Sequence, residues 1–311
     1  MPLVTLFTAP KAFTDPDTAR SQHNAIGSWV RLDGVDILLL GDEAGLEAAA
    51  RDLGVRHIPS VSKNPSGVPL ISSMFNVARA NSESRLLAIV NTDIVLTSDF
   101  VLAARALDAM STSSQLYSGF LLVSRRWDLG VPQALDFGNG WENILRSEVH
   151  KHGELHRPAG SDLFLFPRAC YPEIPDFTIG RAGWDNWMIY KAHQEGWSVV
   201  DGTPSMLIVH QSHDYRHLPG AQPHYNHPDT TVNTRLAGGQ AAIRYTILDA
   251  TLELNKGRLV RPRLTMPRFL RRLELFLRRV LFFLPDSTVE SIARPQRWRK
   301  RISRLLGGRR L

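Results

Sequence analysis

Three short constellations carry side chains of the types that do chemistry. The first is an apolar run, Leu86–Val90, that ends in Asn91-Thr92-Asp93. Polar residues closing a strand stand at the carboxyl edge of their sheet, where open α/β sheets bind ligands. A carboxylate there suits a hard divalent cation that bridges phosphate oxygens. The second is Gly183-Trp184-Asp185-Asn186-Trp187, which opens a helical stretch followed by Gly196 and a strand. An acid beside two tryptophans is expected to titrate high and to accept a proton near neutral pH. The same position also suits a helix cap. The third is a strand closed by His210, with His213 shortly after it. A neutral imidazole suits a transition-series ion such as Mn²⁺ better than Ca²⁺.

The elements that must position these groups read as alternating strands and helices. Strand-like runs at 3–8, Val35–Leu40, 55–58 and Leu86–Val90 enclose helix-like stretches at 17–30, 43–53 and 68–80. That alternation predicts a mainly parallel sheet with helices on its faces. Asp17 and Asp42 are the expected N-caps. Further along, Asp99–Met110 reads as a helix, 115–124 and 163–166 as strands, 184–195 as a helix, and 197–201 and 205–210 as strands. The segment 127–158 is polar and aromatic without a period and reads as a substrate-facing insertion. Residues 211–237, rich in His, Pro, Asn and Asp, read as a loop, and 241–254 as a helix. No internal repeat is present.

A chain of 311 residues can bury one large core. No apolar run reaches the ~18 residues of a membrane span, and the first residues read as a strand rather than a signal peptide. The single cysteine, Cys170, excludes an internal disulfide and reads as a small buried hydrophobe. The net charge of +7 is unevenly distributed. Residues 258–311 hold sixteen Arg and Lys against three acids, a net of +13, whereas 1–257 hold 21 basic and 27 acidic side chains, a net of −6. Within 266–284, Phe269, Leu270, Leu273, Phe276, Leu277, Val280 and Leu281 share one helical face, and Arg268, Arg271, Arg272, Arg278 and Arg279 crowd the other. This is the profile of an interfacial helix seeking an anionic membrane surface. A nucleic-acid groove would leave the aliphatics without a partner, so no nucleic acid is expected. Packing of the apolar face on the globular body or on another subunit is the alternative.

At this point the residues resemble a family. Asn91-Thr92-Asp93 is similar to the Asp-x-Asp motif of GT-A glycosyltransferases, with Asn91 in place of the first Asp. Gly183-Trp184-Asp185-Asn186, its helix, Gly196 and the strand after it are similar to the family's acidic helix start. His210 matches the late histidine of its metal-dependent members. The resemblance covers about residues 1–255 and points to a bacterial branch of that superfamily. It implies a GT-A fold, a Rossmann-like mixed sheet flanked by helices, with a nucleotide-binding half over 1–93 and an acceptor half over 94–255. A basic extension, 256–311, lies outside it.

The implied activity is transfer of a sugar from a UDP- or GDP-sugar to a hydroxyl acceptor: a glycan, a lipid-linked molecule or a small molecule. Asp93 with His210, or His213, would hold Mn²⁺ or Mg²⁺, and Asp185 would be the base of an inverting transfer, although the fold serves retention as well. Donor contacts are expected from Thr8, Ala9, Pro10, Gly41, Asp42, Lys63, Asn64, Asn91 and Thr92. Acceptor contacts are expected from Arg125, Arg126, Trp127, Asp128, Trp141, Glu142, Ser161, Asp162, Trp184 and Asn186. The expected location is cytoplasmic, at the inner face of the membrane, with oligomers possible. Nucleotidyltransferases of sugar nucleotides share the sheet and the metal, but carry a Gly-rich loop after the first strand, and Thr8-Ala9-Pro10-Lys11 has no Gly. An inactive binding protein on the same fold is the remaining alternative. No phosphate-binding Gly-x-x-x-x-Gly-Lys loop, Gly-x-Ser-x-Gly elbow or His-Glu-x-x-His occurs.

Overall fold

A computed structural model describes residues 1–111, 116, 118–212 and 227–280. Strand β1 (Val4–Thr8) passes through helix α1 (Pro16–Trp29) to β2 (Val35–Leu40), and through α2 (Leu46–Leu53) to β3 (Arg56–Ile58). Helix α3 (Ile71–Ala80) returns the chain to β4 (Leu86–Val90), followed by β5 (Ile94–Leu96), α4 (Asp99–Met110) and β6 (Phe120–Val123). Next come β7 (Trp127–Leu129), α5 (Trp141–His152), β8 (Glu154–Leu155), β9 (Leu163–Pro167) and α6 (Trp184–Gln194). The chain continues with β10 (Ser198–Asp201), β11 (Ile208–Gln211), α7 (Pro228–Leu236), β12 (Leu252–Asn255), β13 (Arg258–Val260) and α8 (Met266–Val280).

Nine strands form one mixed sheet in the order β13-β12-β10-β6-β9-β4-β1-β2-β3. Within it β3, β2, β1 and β4 are mutually parallel, β9 runs antiparallel between β4 and β6, and β6, β10 and β12 are again parallel. A mixed sheet with helices on both faces is therefore present, as expected. Period-two alternation along β4 shows how it is held: Leu86, Ala88 and Val90 enter one core with α1 and α4, while Leu87 and Ile89 enter the other with α3 and α6. A second sheet, β5-β11-β7-β8, lies over a smaller cluster of Val95, Leu129, Leu145, Val149 and Val209.

Local chemistry sets the element ends. Asp15, not Asp17, caps α1: its carboxylate accepts from the Thr18 N–H at 2.8 Å, and Pro16 fills the first turn. Helix α2 begins after Gly45 and not at Asp42, whose carboxylate turns instead to Lys63.

Three expectations need correction. The insertion 127–158 contains β7, α5 and β8, with Leu145 and Val149 of α5 buried one turn apart. The loop 211–237 contains α7, started by Pro228; its residues 213–226 lie outside the described residues. The stretch 241–254 is not a helix. Two 3-10 turns, Ala242–Arg244 and Ile247–Asp249, lead into β12, which pairs with β10. Thr246 and Asp249 form a reciprocal capping box around the second turn.

The chain divides into two compact units, Met1–Pro262 and Arg263–Leu311. In the second, α8 carries Met266, Phe269, Leu273, Phe276 and Val280 exposed along one stripe. Glu274 lies between Arg271 and Arg278 at 3.0 and 3.1 Å. Leu281 and the rest of the tail lie outside the described residues. Among those described, no helix is long and apolar enough to cross a membrane.

Candidate active site

Strand register brings the first groups together. Val90, the last residue of β4, pairs with Leu163, the first of β9, so the residues just beyond them are Asn91 and Asp162. The Asn91 N–H donates to the Asp162 carbonyl at 2.9 Å, and Asn91 Nδ2 donates to Asp162 Oδ1 at 2.7 Å. Thr8, ending β1 beside β4, lies with its hydroxyl 3.4 Å from that of Thr92.

The small sheet supplies the second half. β11 lies parallel to β7 with His210 opposite Asp128, and antiparallel to β5 with His210 opposite Ile94, the residue after Asp93. The imidazole therefore stands between two carboxylates: Nδ1 is 3.0 Å from Asp128 Oδ1 and Nε2 is 3.5 Å from Asp93 Oδ2. Gln211 fixes the Asp93 main chain, donating to its carbonyl from both N–H and Nε2 at 3.2 Å. The other oxygen of Asp128 is 2.6 Å from Nδ1 of His156. Arg126 joins the two halves, with Nε 3.0 Å from Asp128 Oδ1 and Nη1 2.6 Å from Asp162 Oδ2.

Charges follow from this packing. Burial pushes the His210 imidazole down, but Asp93 outweighs it and holds the pKa above its ordinary value. Burial raises Asp128, yet His156, Arg126 and His210 together keep it below the usual carboxylate range. For Arg126, Asp162 and Asp128 overcome desolvation and raise the pKa further.

Asp185 stands in the first turn of α6. Gly183 precedes it at φ +111°, a conformation that L side chains rarely adopt, and its N–H donates to Asp185 Oδ1 at 3.2 Å. Trp184 packs on Phe164, and Trp187 on Phe177. Burial pushes the Asp185 carboxyl up to about 6; the charge of Asp162 adds to this, and backbone donors of Asn186 and Gly183 oppose it. Of the Asn91–Asp162–Arg126 group, Asp162 is thus the charge that Asp185 feels.

The other expected residues divide between this edge and elsewhere. Ser161 is buried beside Asp162, and Trp127 precedes Asp128 in β7. Arg125 is turned away, its guanidinium donating to the His156 carbonyl. Trp141 packs on Phe137, and Glu142 accepts from the N–H and hydroxyl of Ser98 at the start of α4, so neither is tied to the group around Asp93. Lys63 pairs with Asp42 and Glu43. Asn64 closes its own turn through Ser66 and Val68 and reaches Thr178 at 3.2 Å. The Gly41 carbonyl accepts from His57, and Asn186 donates to the Tyr245 carbonyl. Ala9 and Pro10 continue from β1; His213 lies outside the described residues.

Sequence reasoning missed four contributors. Lys11 lies within reach of the charges of Asp93 and Arg181: desolvation lowers the Lys11 pKa, Asp93 raises it and Arg181 lowers it. The position of Lys11 just past a strand end was a readable signal. His156 and Gln211 had none, because only the register of the small sheet gives them a role.

A carboxylate and an imidazole nitrogen facing each other match the donor chemistry of Mn²⁺, and less closely of Mg²⁺. The residues fit such an ion as a two-point hold. Among the described residues, no group of three or more His, Cys, Asp or Glu is arranged to hold a metal ion.

No protein-family model matches the chain, and no curated protein is similar to it in sequence. Solved structures are similar to it. A mannosyltransferase from Pyrobaculum calidifontis in complex with GDP-Man and Mn²⁺ is 14% identical over 67% of this chain and 56% of its own, with a TM-score of 0.39. TarS 1-349 from S. aureus in complex with UDP-GlcNAc is 13% identical over 89% of this chain and 81% of its own, with a TM-score of 0.46. Glucosyl-3-phosphoglycerate synthase from Mycobacterium tuberculosis in complex with phosphoglyceric acid is 14% identical over 77% and 81%, at 0.43. The chain spans little more than half the length of the mannosyltransferase it matches.

Proposed function

We propose that this chain is a GT-A-type glycosyltransferase that moves a sugar from a UDP- or GDP-sugar to a hydroxyl acceptor. One observation carries the reading. Asp93 faces His210 at 3.5 Å, Arg126 and Asn91 hold Asp162 beside the elements that carry that pair, and the Asp162 charge adds to the burial that pushes the Asp185 carboxyl up to about 6. A cation-holding pair beside a base poised near neutrality is what displacement of a diphosphate by an alcohol requires.

Asp93 and His210 would hold Mn²⁺ or Mg²⁺, which when bound neutralises charge on the departing diphosphate. Thr8 and Thr92, whose hydroxyls lie 3.4 Å apart, would meet the donor nucleotide, and Lys11, which feels the charge of Asp93, would add positive charge for its phosphates. Asp185 takes the proton of the acceptor hydroxyl as its oxygen bonds to the anomeric carbon. The bond from that carbon to the diphosphate breaks, and its electrons leave with the nucleotide. Arg126 pairs with both Asp128 and Asp162, and Asn91 donates to Asp162, so these contacts fix where the carboxylates stand. Attack on the face opposite the diphosphate gives inversion.

Calorimetry of UDP and GDP binding with Mn²⁺, and with EDTA, tests this. Wild-type affinity should depend on the cation, and Asp93→Ala should abolish that dependence with the fold intact by circular dichroism. Equal affinity with and without EDTA would overturn the metal assignment. Absence of donor hydrolysis and transfer across UDP- and GDP-sugars would overturn the activity.

The tail is proposed to dock this enzyme on an anionic lipid surface. The exposed stripe of α8 from Met266 to Val280 is apolar, and residues 258–311 carry a net charge of +13. A second copy laid on that stripe would bring two arginine-rich helices together, whereas anionic headgroups complement them. Vesicles containing phosphatidylserine should float the full chain at low salt and release it at high salt. Equal flotation of a variant with Phe269, Leu273 and Phe276 changed to Ser would refute the assignment.

A further inference from the structure

Asp128 has a place in the site that its distance along the chain from Asp93 and His210 conceals. Both carboxylate oxygens are committed to neighbours: Oδ1 to His210 Nδ1 at 3.0 Å and to Arg126 Nε at 3.0 Å, Oδ2 to His156 Nδ1 at 2.6 Å. The small sheet makes this set. His210 and Asp128 are register partners in parallel strands, and the His156 N–H donates to the Arg126 carbonyl at 2.9 Å as the chain leaves β8. A carboxylate so engaged has little capacity left for a sugar hydroxyl.

We propose that Asp128 is the positioning residue of the cation site: it holds the His210 ring with Nδ1–H toward Oδ1, which leaves Nε2 as the nitrogen presented to Asp93. This rests on the reading that Asp93 and His210 hold a cation. The physical argument is that an imidazole has one nitrogen to give a metal, and the bond at the other nitrogen selects which. Without an acceptor at Nδ1 the ring is free to rotate about its Cβ–Cγ bond and to exchange tautomers. The site then loses both orientation and basicity. Arg126 and His156 in turn pin the carboxylate, so that Asp128 is itself held from two sides. His210 is only 12% exposed and Asp128 25%, and this shielding keeps water from substituting freely for the carboxylate.

The inference separates Asp128 from a purely structural role by comparing Asp128→Asn with Asp128→Ala. In Asp128→Asn the amide oxygen can stay on the Arg126 and His210 side, where both neighbours donate, and the NH2 group can face His156 in its other tautomer. Mn²⁺ titrations by calorimetry with UDP or GDP present should show affinity about 10–100-fold weaker in Asp128→Ala and within a few-fold of wild type in Asp128→Asn. In metal-free protein at a pH high enough to leave the ring neutral, imidazole ¹⁵N resonances should report a larger Nδ1–H population of His210 in wild type and Asp128→Asn than in Asp128→Ala, where Asp93 alone is left to accept and selects Nε2–H. Wild-type Mn²⁺ affinity in a folded Asp128→Ala protein overturns the positioning role while leaving the cation site standing. Equal weakening in both variants also overturns it, because charge and not orientation would then be what Asp128 supplies. Absence of nucleotide-linked Mn²⁺ binding in wild type overturns the cation reading itself, and the positioning role with it.

Discussion

Replacing Asp185 by Asn is the most discriminating perturbation of this site, because it acts on activity and on stability in opposite directions. The carboxyl is pushed up to about 6 from 3.8. Its folded pKa is therefore raised, so the native state binds more protons than the unfolded chain between those values. Stability is lost as pH rises through that window and does not return above it. Keeping the carboxylate ionised at neutral pH costs on the order of 3 kcal/mol at 1.36 kcal/mol per pH unit. The amide introduced by Asp185→Asn needs no such ionisation, and its oxygen can still accept from the Gly183 N–H, the bond that Asp185 makes at 3.2 Å. Urea unfolding should thus find Asp185→Asn more stable than wild type at pH 8, by up to about 3 kcal/mol, and nearly equal to it at pH 4. As the base is lost, turnover should fall by roughly 10²–10⁴ with donor affinity unchanged. Below about 6 the wild-type rate should climb with pH as the carboxylate forms, and the residual rate of the variant should not. Near-normal turnover, or a variant less stable at pH 8, would refute the reasoning and return Asp185 to the role of a helix-start hydrogen-bond acceptor.

Two further outcomes follow from the same contacts. Arg126→Met keeps the volume of a side chain only 14% exposed but strands Asp162 beside Asp128; unfolding at pH 8 should show a loss of about 3–5 kcal/mol, checked by urea midpoint. Gly183→Ala forces a Cβ onto a backbone at φ +111° and to within 3.4 Å of Ile243; the cost should be about 1–3 kcal/mol in thermal unfolding, with turnover falling more than donor affinity as Asp185 shifts.

The large sheet was legible because its strands are buried on both faces. Leu86–Val90 is a continuous apolar run and Val35–Leu40 is apolar except for Asp36 at its partly exposed start, and both match the observed strands to the residue. Asp99–Met110 was equally clear from its period. The small sheet was legible only at β11, because β5, β7 and β8 are three, three and two residues long and too short to show alternation. Helix α5 did leave a signal that was passed over: Trp141, Leu145 and Val149 recur at helical spacing between Gly140 and Gly153. The stretch 241–254 misled because its Ala, Ile and Leu suit a helix, while pairing of Leu252 with Val200 drew its end into the sheet. Tertiary pairing overrode local propensity there.

The same contrast explains which site residues could be named in advance. Asp93 and Asp185 stand at the start of an element and His210 one residue before the end of β11, so local sequence marks them. What surrounds them is set by where the chain crosses from one sheet to the other. Asn91, Thr92 and Asp93 are that crossing between β4 and β5, and Arg126 lies on the crossing between β6 and β7. Asn91 is tied back to the large sheet through Asp162, whereas the Asp93 carbonyl is held by Gln211 of the small sheet. Arg126 bridges the two directly, through Asp162 and Asp128. Two of the segments that cross between the sheets, 91–93 and 124–126, and a third, 156–162, therefore carry the charged groups. A side chain that tilts one sheet against the other must alter the separation of Asp93, on the small-sheet side, from Asp162 and Asp185, on the large-sheet side. The ion pairs of Arg126 to Asp162 and Asp128 thus join the packing of the two sheets to the geometry of the candidate site.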